Sequence, residues 1–540
     1  MIKFLEKYPI LSIILFVGTL LFPLLDAMDV TIMEARNFVT AREMLTENHW
    51  ILTTNNGLPR YQKPPLPTWF SAVSASIFGI KSVWAMRLPA VLMVMLLGSM
   101  VFTLSRKLKL TSKHSTINGF ISVTSLYVVL IAFEGPWDIY AHAFMIAGIY
   151  YLFQILQKNH NIKNWILAVV FIAASILSKG PVSLYALFLP FLISYLIVFR
   201  KGTLKKSWVL FTSSIIIAII IGFAWYVYVR FADPEAFNAI AERETGNWTS
   251  RNVRPFYYYW SFFVQSGLWT IPAFISLLYP YMKSKVIHFK TYKFTLIWTL
   301  ASVILLSIIP EKKSRYLMPV LIPLAINTGF YIEYLIRKFK NIKDRRETVP
   351  VYFNFGLLTV IFITLPIALS YFILANEVHF RIIGVISLIL VFIIAILMVR
   401  SLLKRNVYRL FYLSVGAIAF TALSALTFIK DYSPNPNYTT FEDLNLNASI
   451  PFYAYERIAP TLIWNIGQKV PILSEKTLDL NKEAFYLLIC ENCDTPDEGQ
   501  FSNFSKTDVG FLDINKALPD SKAYKLRKAG EVFLYKKKTK

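Results

Sequence analysis

Residues 208–230 read WVLFTSSIIIAIIIGFAWYVYVR, an apolar run that carries a single charge, Arg230, at its end. A helix needs about 20 mostly apolar residues to cross the hydrocarbon core of a bilayer. Similar runs recur along the chain, and we count about thirteen of them. The sequence therefore predicts an all-α polytopic membrane protein with spans near residues 8–25, 84–104, 116–133, 139–157, 163–178, 181–199, 208–230, 257–281, 294–309, 317–335, 350–373, 380–399 and 408–428.

Basic residues are concentrated in alternate loops between these runs. Because short loops rich in Lys and Arg stay in the cytoplasm, these loops and the N-terminus are predicted to lie inside. The net charge of +24 is thus spread over many short loops and does not form the single basic patch of a nucleic-acid-binding protein. The loops are residues 106–113, 200–206, 283–293, 337–346 and 400–409.

An odd number of spans places the polar tail on the exported side. Residues 1–429 form the predicted transmembrane domain, and its first exported loop, residues 26–83, is longer than a helix connection requires. Residues 430–540 form a predicted soluble exported α/β domain, with strands at 484–490 and 531–535. The C-terminus is therefore expected on the exported side of the membrane.

The only two cysteines, Cys490 and Cys493, fall in this tail. A C-x-x-C pair in an exported domain is compatible with a structural disulfide or with two inert thiols. A metal site is the third alternative, although zinc prefers four ligands and no nearby His or Cys completes the set.

Residues with the chemistry of a catalytic site gather in the exported loops. In Arg60-Tyr-Gln-Lys-Pro-Pro-Leu-Pro-Thr-Trp69, consecutive prolines hold Lys63 in a stiff segment just before the chain re-enters the bilayer. Lys179 stands at a helix-breaking Lys-Gly-Pro junction, and Glu311-Lys-Lys-Ser-Arg-Tyr316 crowds charges at another span. Solvated loop charges, bracing ion pairs and an ordinary proline-rich turn are the alternative interpretations.

The first loop also has a periodic centre. Residues 32–45 (IMEARNFVTAREML) place apolar side chains at helical spacing, which predicts an amphipathic helix lying in the membrane interface. Its charged residues, Glu34, Arg36, Arg42 and Glu43, are then expected close to the membrane surface.

Taken in order, these strings resemble the GT-C membrane glycosyltransferases that use polyprenyl-phosphate sugars, namely the aminoarabinose transferases and protein O-mannosyltransferases. The resemblance covers roughly residues 20–330. It implies a sugar transferred with inversion from an undecaprenyl-phosphate donor to lipid A or another envelope glycan or protein. It also implies donor-phosphate binding by Arg36 and Lys63, with Lys179, Arg251 or Arg254, and Tyr316 as helpers.

Two positions depart from the pattern of that family. Met33 stands where its paired acidic motif has Asp, and Gln62 replaces a Glu that can bind metal there. No cofactor and no bound metal are therefore expected. We expect Glu34 to be the general base, followed by Asp29 and Asp138; a helix cap or turn is the alternative for the last two.

A transporter or flippase of lipid-linked sugars is the main rival from another class. Transporters bury polar residues near the membrane midplane and often consist of repeated halves. In this sequence the charges gather in exported loops and no halves repeat. A noncatalytic envelope scaffold is a third possibility, which the long charged first loop disfavours.

Overall fold

The computed structural model describes residues 2–134, 136–157, 161–199, 201–375, 382–429, 432–473, 482–491, 493, 495–496 and 498–538. Its contacts divide the chain into two compact units, which are described separately. The helical unit comprises Met1–Met28, Tyr61–Phe70 and Arg87–Lys430. The mixed unit comprises Asp29–Arg60, Ser71–Met86 and Asp431–Lys540, so much of the first loop groups with the tail. The domain boundary expected at residue 430 itself lies outside the described residues.

Twenty α-helices are present in the described part of the chain. They are α1 (Ile2–Lys7), α2 (Pro9–Leu21), α3 (Ile32–Thr46), α4 (Leu66–Phe78), α5 (Val83–Lys107), α6 (Ser112–Thr124), α7 (Leu126–Glu134), α8 (Pro136–Leu156), α9 (Ile162–Lys179), α10 (Leu189–Phe199), α11 (Lys201–Ala232), α12 (Pro234–Ser250), α13 (Thr270–Leu277), α14 (Tyr279–Met282), α15 (Phe289–Ile308), α16 (Met318–Lys338), α17 (Arg345–Ala375), α18 (Ile382–Leu403), α19 (Val407–Ile429) and α20 (Pro460–Ile466).

The predicted count of thirteen spans is not confirmed. Among the described residues, nine helices are long and apolar enough to cross a membrane, and a tenth span forms if α6 and α7, bent by 55°, are counted as one. Two further predicted spans correspond to shorter apolar helices, Pro9–Leu24 and Leu184–Phe199. Residues 380 and 381 of another predicted span lie outside the described residues.

The predicted span at 257–281 is wrong, because the chain there is broken into short pieces. Two 3₁₀ turns, Phe256–Tyr259 and Phe262–Trp269, precede α13 and α14. Gly267 has φ +66°, a left-handed conformation that interrupts the helix, and a Cβ there would lie 3.0 Å from the Leu126 Cβ. Hydropathy alone could not distinguish this packed, irregular segment from a span.

Helices α8, α9 and α11 form a continuous layer in the helical unit. Gly148 and Gly222 allow the close approach: an added Cβ at Gly148 would lie 2.6 Å from Ile172, and one at Gly222 would lie 2.6 Å from Ile176. Small residues at such contacts are typical of membrane helices, where packing rather than hydrophobic burial holds helices together. This layer positions the first turn of α8 and the last turn of α9.

The mixed unit contains a short hairpin and a five-stranded sheet. Asn56 and Gly57 have positive φ and connect strands β1 (Thr54–Asn55) and β2 (Leu58–Pro59), as expected for a two-residue Asn-Gly turn. The sheet has the order β4-β3-β5-β7-β6. Strand β3 is parallel to β4 and β5, whereas β7 is antiparallel to β5 and β6. Its strands are β3 (Phe452–Tyr455), β4 (Ile472–Leu473), β5 (Ala484–Cys490), β6 (Phe504–Asp513) and β7 (Ala529–Lys537).

Both faces of this sheet are covered, because successive side chains of β5 point to opposite sides. Tyr486 and Leu488 pack in the core that contains α20, whereas Phe485, Leu487 and Ile489 pack in an aromatic core on the other face. The expected strands at 484–490 and 531–535 and the small α/β domain are confirmed. Cys490 and Cys493 form a disulfide, which decides among the three alternatives for that pair.

The predicted helix of the first loop is confirmed as α3, and two of its charged residues, Arg42 and Glu43, are buried within the mixed unit. The Arg42 side chain is buried and donates to the carbonyl oxygens of Ile463 (3.1 Å), within α20, and of Gln468 (3.0 Å), just past the end of that helix. The Glu43 carboxylate is also buried and accepts hydrogen bonds from the backbone of Asn56 and Gly57. These two charges therefore hold the mixed unit together.

Candidate functional site

A buried ion pair joins two helices at one end of the helical unit. Lys179 is the last residue of α9, where Gly180, at φ +76°, ends the helix. Asp138 lies in the first turn of α8, and its carboxylate accepts a hydrogen bond from the Lys179 ammonium group. The two side chains are only 8% and 5% exposed. The ammonium group is thus held at a fixed position rather than carried on a free side chain.

Lys63 lies in the same electrostatic environment. It precedes α4, is partly buried, and is followed by two buried prolines, Pro64 and Pro65. Burial and, next, the charge of Lys179 lower the pKa of Lys63 to about 8, whereas Glu244, Asp138 and Glu311 act in the opposite direction. The structure thereby places Lys63, an expected phosphate ligand, within electrostatic range of Lys179, an expected helper.

The loop before α16 adds a carboxylate and a phenol to this cluster. The Lys313 ammonium group donates to Glu311 Oε1 at 2.5 Å and to the Tyr316 hydroxyl at 3.3 Å. The Tyr316 hydroxyl donates to the same Glu311 oxygen at 3.4 Å, and Lys179 Nζ lies 5.1 Å from the Tyr316 ring centroid. The side-chain hydrogen bond to Glu311 raises the pKa of Lys313 despite burial. Lys313 therefore remains a cation.

Arg315 is the fourth cation of this group. Its charge acts on both Asp138 and Lys179. Within the described part of the chain, its Nε is buried and has no hydrogen-bond partner. A buried donor without a partner costs free energy, and an anionic ligand would satisfy it. We call Lys63, Lys179, Lys313 and Arg315, with Asp138, Glu311 and Tyr316, the cation cluster.

Arg251 and Arg254 lie on the segment that runs beside this loop. The Arg254 N–H donates to the Pro310 carbonyl at 3.2 Å, and Val253 forms an antiparallel bridge with Glu311. Both arginine side chains are exposed, and the Arg254 guanidinium lies 6.0 Å from the Tyr258 ring centroid. Their backbone supports the loop of Glu311, while their side chains face outward.

Three other predicted residues belong to the mixed unit. Glu34 completes a capping box at the start of α3: its carboxylate accepts from the Thr31 N–H at 3.0 Å, and its own N–H donates to the Thr31 hydroxyl. Asp29 forms an ion pair with Lys516 at 3.3 Å. Arg36 is exposed on α3, and its charge acts on Arg60.

Arg60 was not selected from the sequence as a site residue. Its guanidinium donates to the Thr40 hydroxyl at 2.9 Å, on the helical turn that follows Arg36. Burial and, next, the neighbouring charge of Arg36 lower the pKa of Arg60 to about 9. The mixed unit therefore places the charges of Arg36 and Arg60 within electrostatic range of each other.

Sequence reasoning also missed functional candidates in the helical unit. Glu311, Lys313 and Arg315 were visible as a charged string, but the string alone did not show that the charges of Lys313 and Arg315 act on Lys179. His142 is buried one turn after Asp138, and among the described residues its Nδ1 has no hydrogen-bond partner. His142 could have been found from its spacing of four residues from Asp138, because residues i and i+4 lie on the same face of a helix.

The described residues do not match a metal site. No group of three His, Cys, Asp or Glu side chains is arranged in them to hold a metal ion. Gln62 offers an amide where the resembling family has a carboxylate. We therefore derive no step through a metal.

The fold defines a polytopic membrane protein of the GT-C type with a small sheet domain. The crystal structure of ArnT from Cupriavidus metallidurans bound to undecaprenyl phosphate superposes with a TM-score of 0.68 and 15% identity, covering 96% of this chain and 97% of that one. A family model described as dolichyl-phosphate-mannose-protein mannosyltransferase matches residues 62–226, which include Lys63, Asp138 and Lys179.

Two curated relatives with similar sequences are both named as arabinosyl transferases. The undecaprenyl phosphate-alpha-4-amino-4-deoxy-L-arabinose arabinosyl transferase of Serratia proteamaculans is 22% identical over 307 residues, which are 56% of this chain and 54% of the relative. That of Proteus mirabilis is 22% identical over 342 residues, 61% and 60% of the two chains. The chain thus resembles the GT-C arabinosyl and mannosyl transferases, and spans about half to three fifths of these relatives.

Proposed function

We propose that this protein is an integral-membrane glycosyltransferase. It moves one sugar from an undecaprenyl-phosphate carrier to an acceptor on the periplasmic face of a bacterial inner membrane. Lipid A is the first candidate acceptor, and another envelope glycan or a protein is the alternative. The observation that carries this proposal is the cation cluster, which offers four positive side chains and a phenol at one end of a helical membrane unit.

The cluster fits the chemistry of a lipid-phosphate donor. The sugar already carries its leaving group, so the site must stabilise the negative charge that develops on the phosphate oxygen as the anomeric bond breaks. Lys179 is suited to this because its ion pair with Asp138 holds it in place before the donor arrives. Lys63 stands on a segment stiffened by Pro64 and Pro65. The partnerless Nε of Arg315 and the Tyr316 hydroxyl add donors. Arg251 or Arg254 remains a proposed helper, and the role of Arg36 as a phosphate ligand stays a prediction.

Asp138 has a separate part in this proposal. Its carboxylate is bound to Lys179, so it fixes the ammonium group that faces the phosphate and is a positioning residue rather than a free base. Glu34 and Asp29, the other predicted bases, also have partners, in the capping box and in the ion pair with Lys516.

Purified protein in phospholipid nanodiscs tests the proposal. We expect it to bind undecaprenyl phosphate, and to transfer 4-amino-4-deoxy-L-arabinose from its undecaprenyl-phosphate donor to lipid A in the presence of EDTA. Mass spectrometry of lipid A, envelope glycans and periplasmic proteins from a gene-deletion strain gives the acceptor and the sugar mass without assuming either. A fixed mass lost from one class supports the proposal.

The same assays separate the rivals. A mass lost from periplasmic proteins instead of lipid A would support a protein O-mannosyltransferase-like enzyme, in line with the description of the matching family model. No lost mass together with accumulation of the donor on the cytoplasmic face would contradict transfer and favour a flippase. Turnover that stops with EDTA and returns with zinc would contradict the metal-free reaction.

A further inference from the structure

Glu311 has a carboxylate oxygen that the structure leaves available. Its backbone is held by the bridge to Val253, and its side chain is 13% exposed. Within the described residues, both hydrogen bonds to its side chain, from Lys313 and Tyr316, reach Oε1. Oε2 therefore keeps its capacity to accept a hydrogen bond, while Oε1 is anchored.

The neighbours of Glu311 suit a group that works beside a phosphate. Its charge acts on Lys63, and Lys313, which binds its Oε1, also reaches Tyr316. The carboxylate and the proposed phosphate ligands thus share one cluster. This is the arrangement required when the attacking oxygen must lose a proton close to the phosphate leaving group.

The sequence-based candidates for the base differ from Glu311 in one respect. Asp138 is buried in an ion pair with Lys179, and protonating it would leave the ammonium group buried without its counter-charge. Glu34 is engaged in the capping box at the start of α3, and Asp29 pairs with Lys516. Glu311 is anchored through one oxygen and open at the other.

We propose that Glu311 is the general base that takes the proton of the attacking acceptor hydroxyl. This role rests on the proposed glycosyl transfer. The acceptor oxygen forms a bond to the anomeric carbon, and the bond between that carbon and the phosphate oxygen breaks with its electron pair on the phosphate. The hydroxyl proton passes to Glu311 Oε2, and it leaves later to solvent or to the released undecaprenyl phosphate, so no oxidant or co-reactant is needed.

The base also defines the acceptor class. A phosphate oxygen is already anionic at neutral pH and would attack without a base, whereas a hydroxyl must be deprotonated as it attacks. A catalytic Glu311 therefore indicates a hydroxyl group, on a sugar or a protein, as the nucleophile.

Glu311→Gln is the central test, because a glutamine keeps the acceptor oxygen for Lys313 and Tyr316 but cannot take the proton. Membranes of the deletion strain, complemented with each variant, supply the natural donor and acceptor, and mass spectrometry measures the initial rate of product formation. General-base catalysis is typically worth about 10²–10⁴ in rate, so we expect a loss of that order in Glu311→Gln. Glu242→Gln removes an exposed carboxylate of α12 and should keep the wild-type rate.

Two readouts distinguish a catalytic role from a structural one. Purified Glu311→Gln should bind undecaprenyl phosphate as wild type does, which shows that the site is folded. In a plot of rate against pH, the wild-type rate should fall on the acid side as the base becomes protonated. The residual rate of Glu311→Gln should not show this acid-side decrease, which we call the acid limb. Lost binding of undecaprenyl phosphate, or an unchanged acid limb, would overturn the role.

The outcomes also separate this inference from the proposed function. A wild-type product with an undiminished rate in Glu311→Gln overturns the role of Glu311 and leaves glycosyl transfer standing. A large rate loss in Glu34→Gln alone would return the base to the residue expected from the sequence. No wild-type product in any envelope fraction overturns the transfer itself, and the role of Glu311 with it.

Discussion

The Lys179 ammonium group donates a hydrogen bond to the Asp138 carboxylate and thereby joins the last residue of α9 to the first turn of α8. A buried pair of this kind gives little net stability, because removing two charges from water offsets most of their attraction. The pair matters for position, because the hydrogen bond to Asp138 holds the Lys179 ammonium group beside the Tyr316 ring. Such preorganisation is what stabilises charge that develops during a reaction.

Removing one member of this pair should therefore be costly. Asp138→Asn leaves Lys179 buried and uncompensated, for which we expect about 3–5 kcal/mol of destabilisation. Thermal unfolding in detergent measures the loss. The double variant Asp138→Asn, Lys179→Met should recover much of the stability but show no transfer. A single variant as stable as wild type would mean that the pair is not maintained in the membrane.

Lys63→Ala should weaken donor binding while the protein still inserts and folds. A lost charge-assisted hydrogen bond costs about 1.5–3 kcal/mol, which corresponds to roughly 10- to 150-fold weaker binding of undecaprenyl phosphate. Fluorescence-detected binding in nanodiscs measures the change, and Lys63→Arg, which keeps the charge, is the matched control. Unchanged affinity in Lys63→Ala would contradict its role as a phosphate ligand.

The pKa of Lys63, lowered to about 8, predicts a pH dependence of donor binding. The side chain is a cation below that pH and neutral above it, so affinity for the singly charged, sugar-linked donor should fall as pH rises through about 8. The expected loss is about tenfold at pH 9. Lys63→Arg should remove the decline, because a guanidinium stays protonated there. A decline of equal size in that variant would assign it to another group.

The lowered pKa of Lys63 affects folding stability in the opposite direction: donor affinity falls as pH rises, whereas the free energy of unfolding increases. The unfolded chain binds more protons at Lys63 than the folded chain between about pH 8 and the ordinary value of 10.5. The contribution of this group to the free energy of unfolding therefore rises with pH across that window. A bound phosphate should reverse the trend, because it favours the charged ammonium.

The sequence predicted the helical class and much of the cation cluster from local signals. Lys63 was identified by its proline-stiffened segment, and Lys179 and Tyr316 by charged strings at helix ends. What sequence could not supply was long-range pairing, since Asp138 and Lys179 are 41 positions apart. The identity of the counter-charge on each lysine depends on helix packing, which no local periodicity encodes.

In the first loop, the helix could be predicted from the sequence, but the residues that cover it could not. The helical spacing of its apolar residues predicts a helix over residues 32–45, which matches α3 (Ile32–Thr46) closely. The same pattern led us to expect the helix to lie in the membrane interface. Arg42 instead bonds to carbonyls more than 400 residues away, and Phe38 packs on Trp464 at 5.1 Å between ring centroids. An amphipathic pattern shows that one face is covered, but not by what.

Topology provides an independent prediction. The alternating basic loops predict that residues 26–83 and the tail beyond about 430 lie on the exported side. Phosphatase fusions at Asn56 and at the exposed Asn503 should both be active, and a fusion in the basic loop at Lys340 should not. Inactive phosphatase with an active cytoplasmic reporter at both exported sites would reject the orientation and the periplasmic reaction.

The mixed unit should depend on contacts between the first loop and the tail. Arg42→Ala removes the donors of two buried or partly buried carbonyl groups, each of which costs about 1–3 kcal/mol when left unsatisfied. Asn56 exchanges two more hydrogen bonds with Val470, at 2.7 and 2.8 Å, so the loop and the tail unfold together. We therefore expect Arg42→Ala to speed limited proteolysis of the tail in the full-length protein, whereas Arg36→Ala, exposed on the same helix, should not. Equal proteolysis rates in wild type and Arg42→Ala would show that the tail is stable without α3.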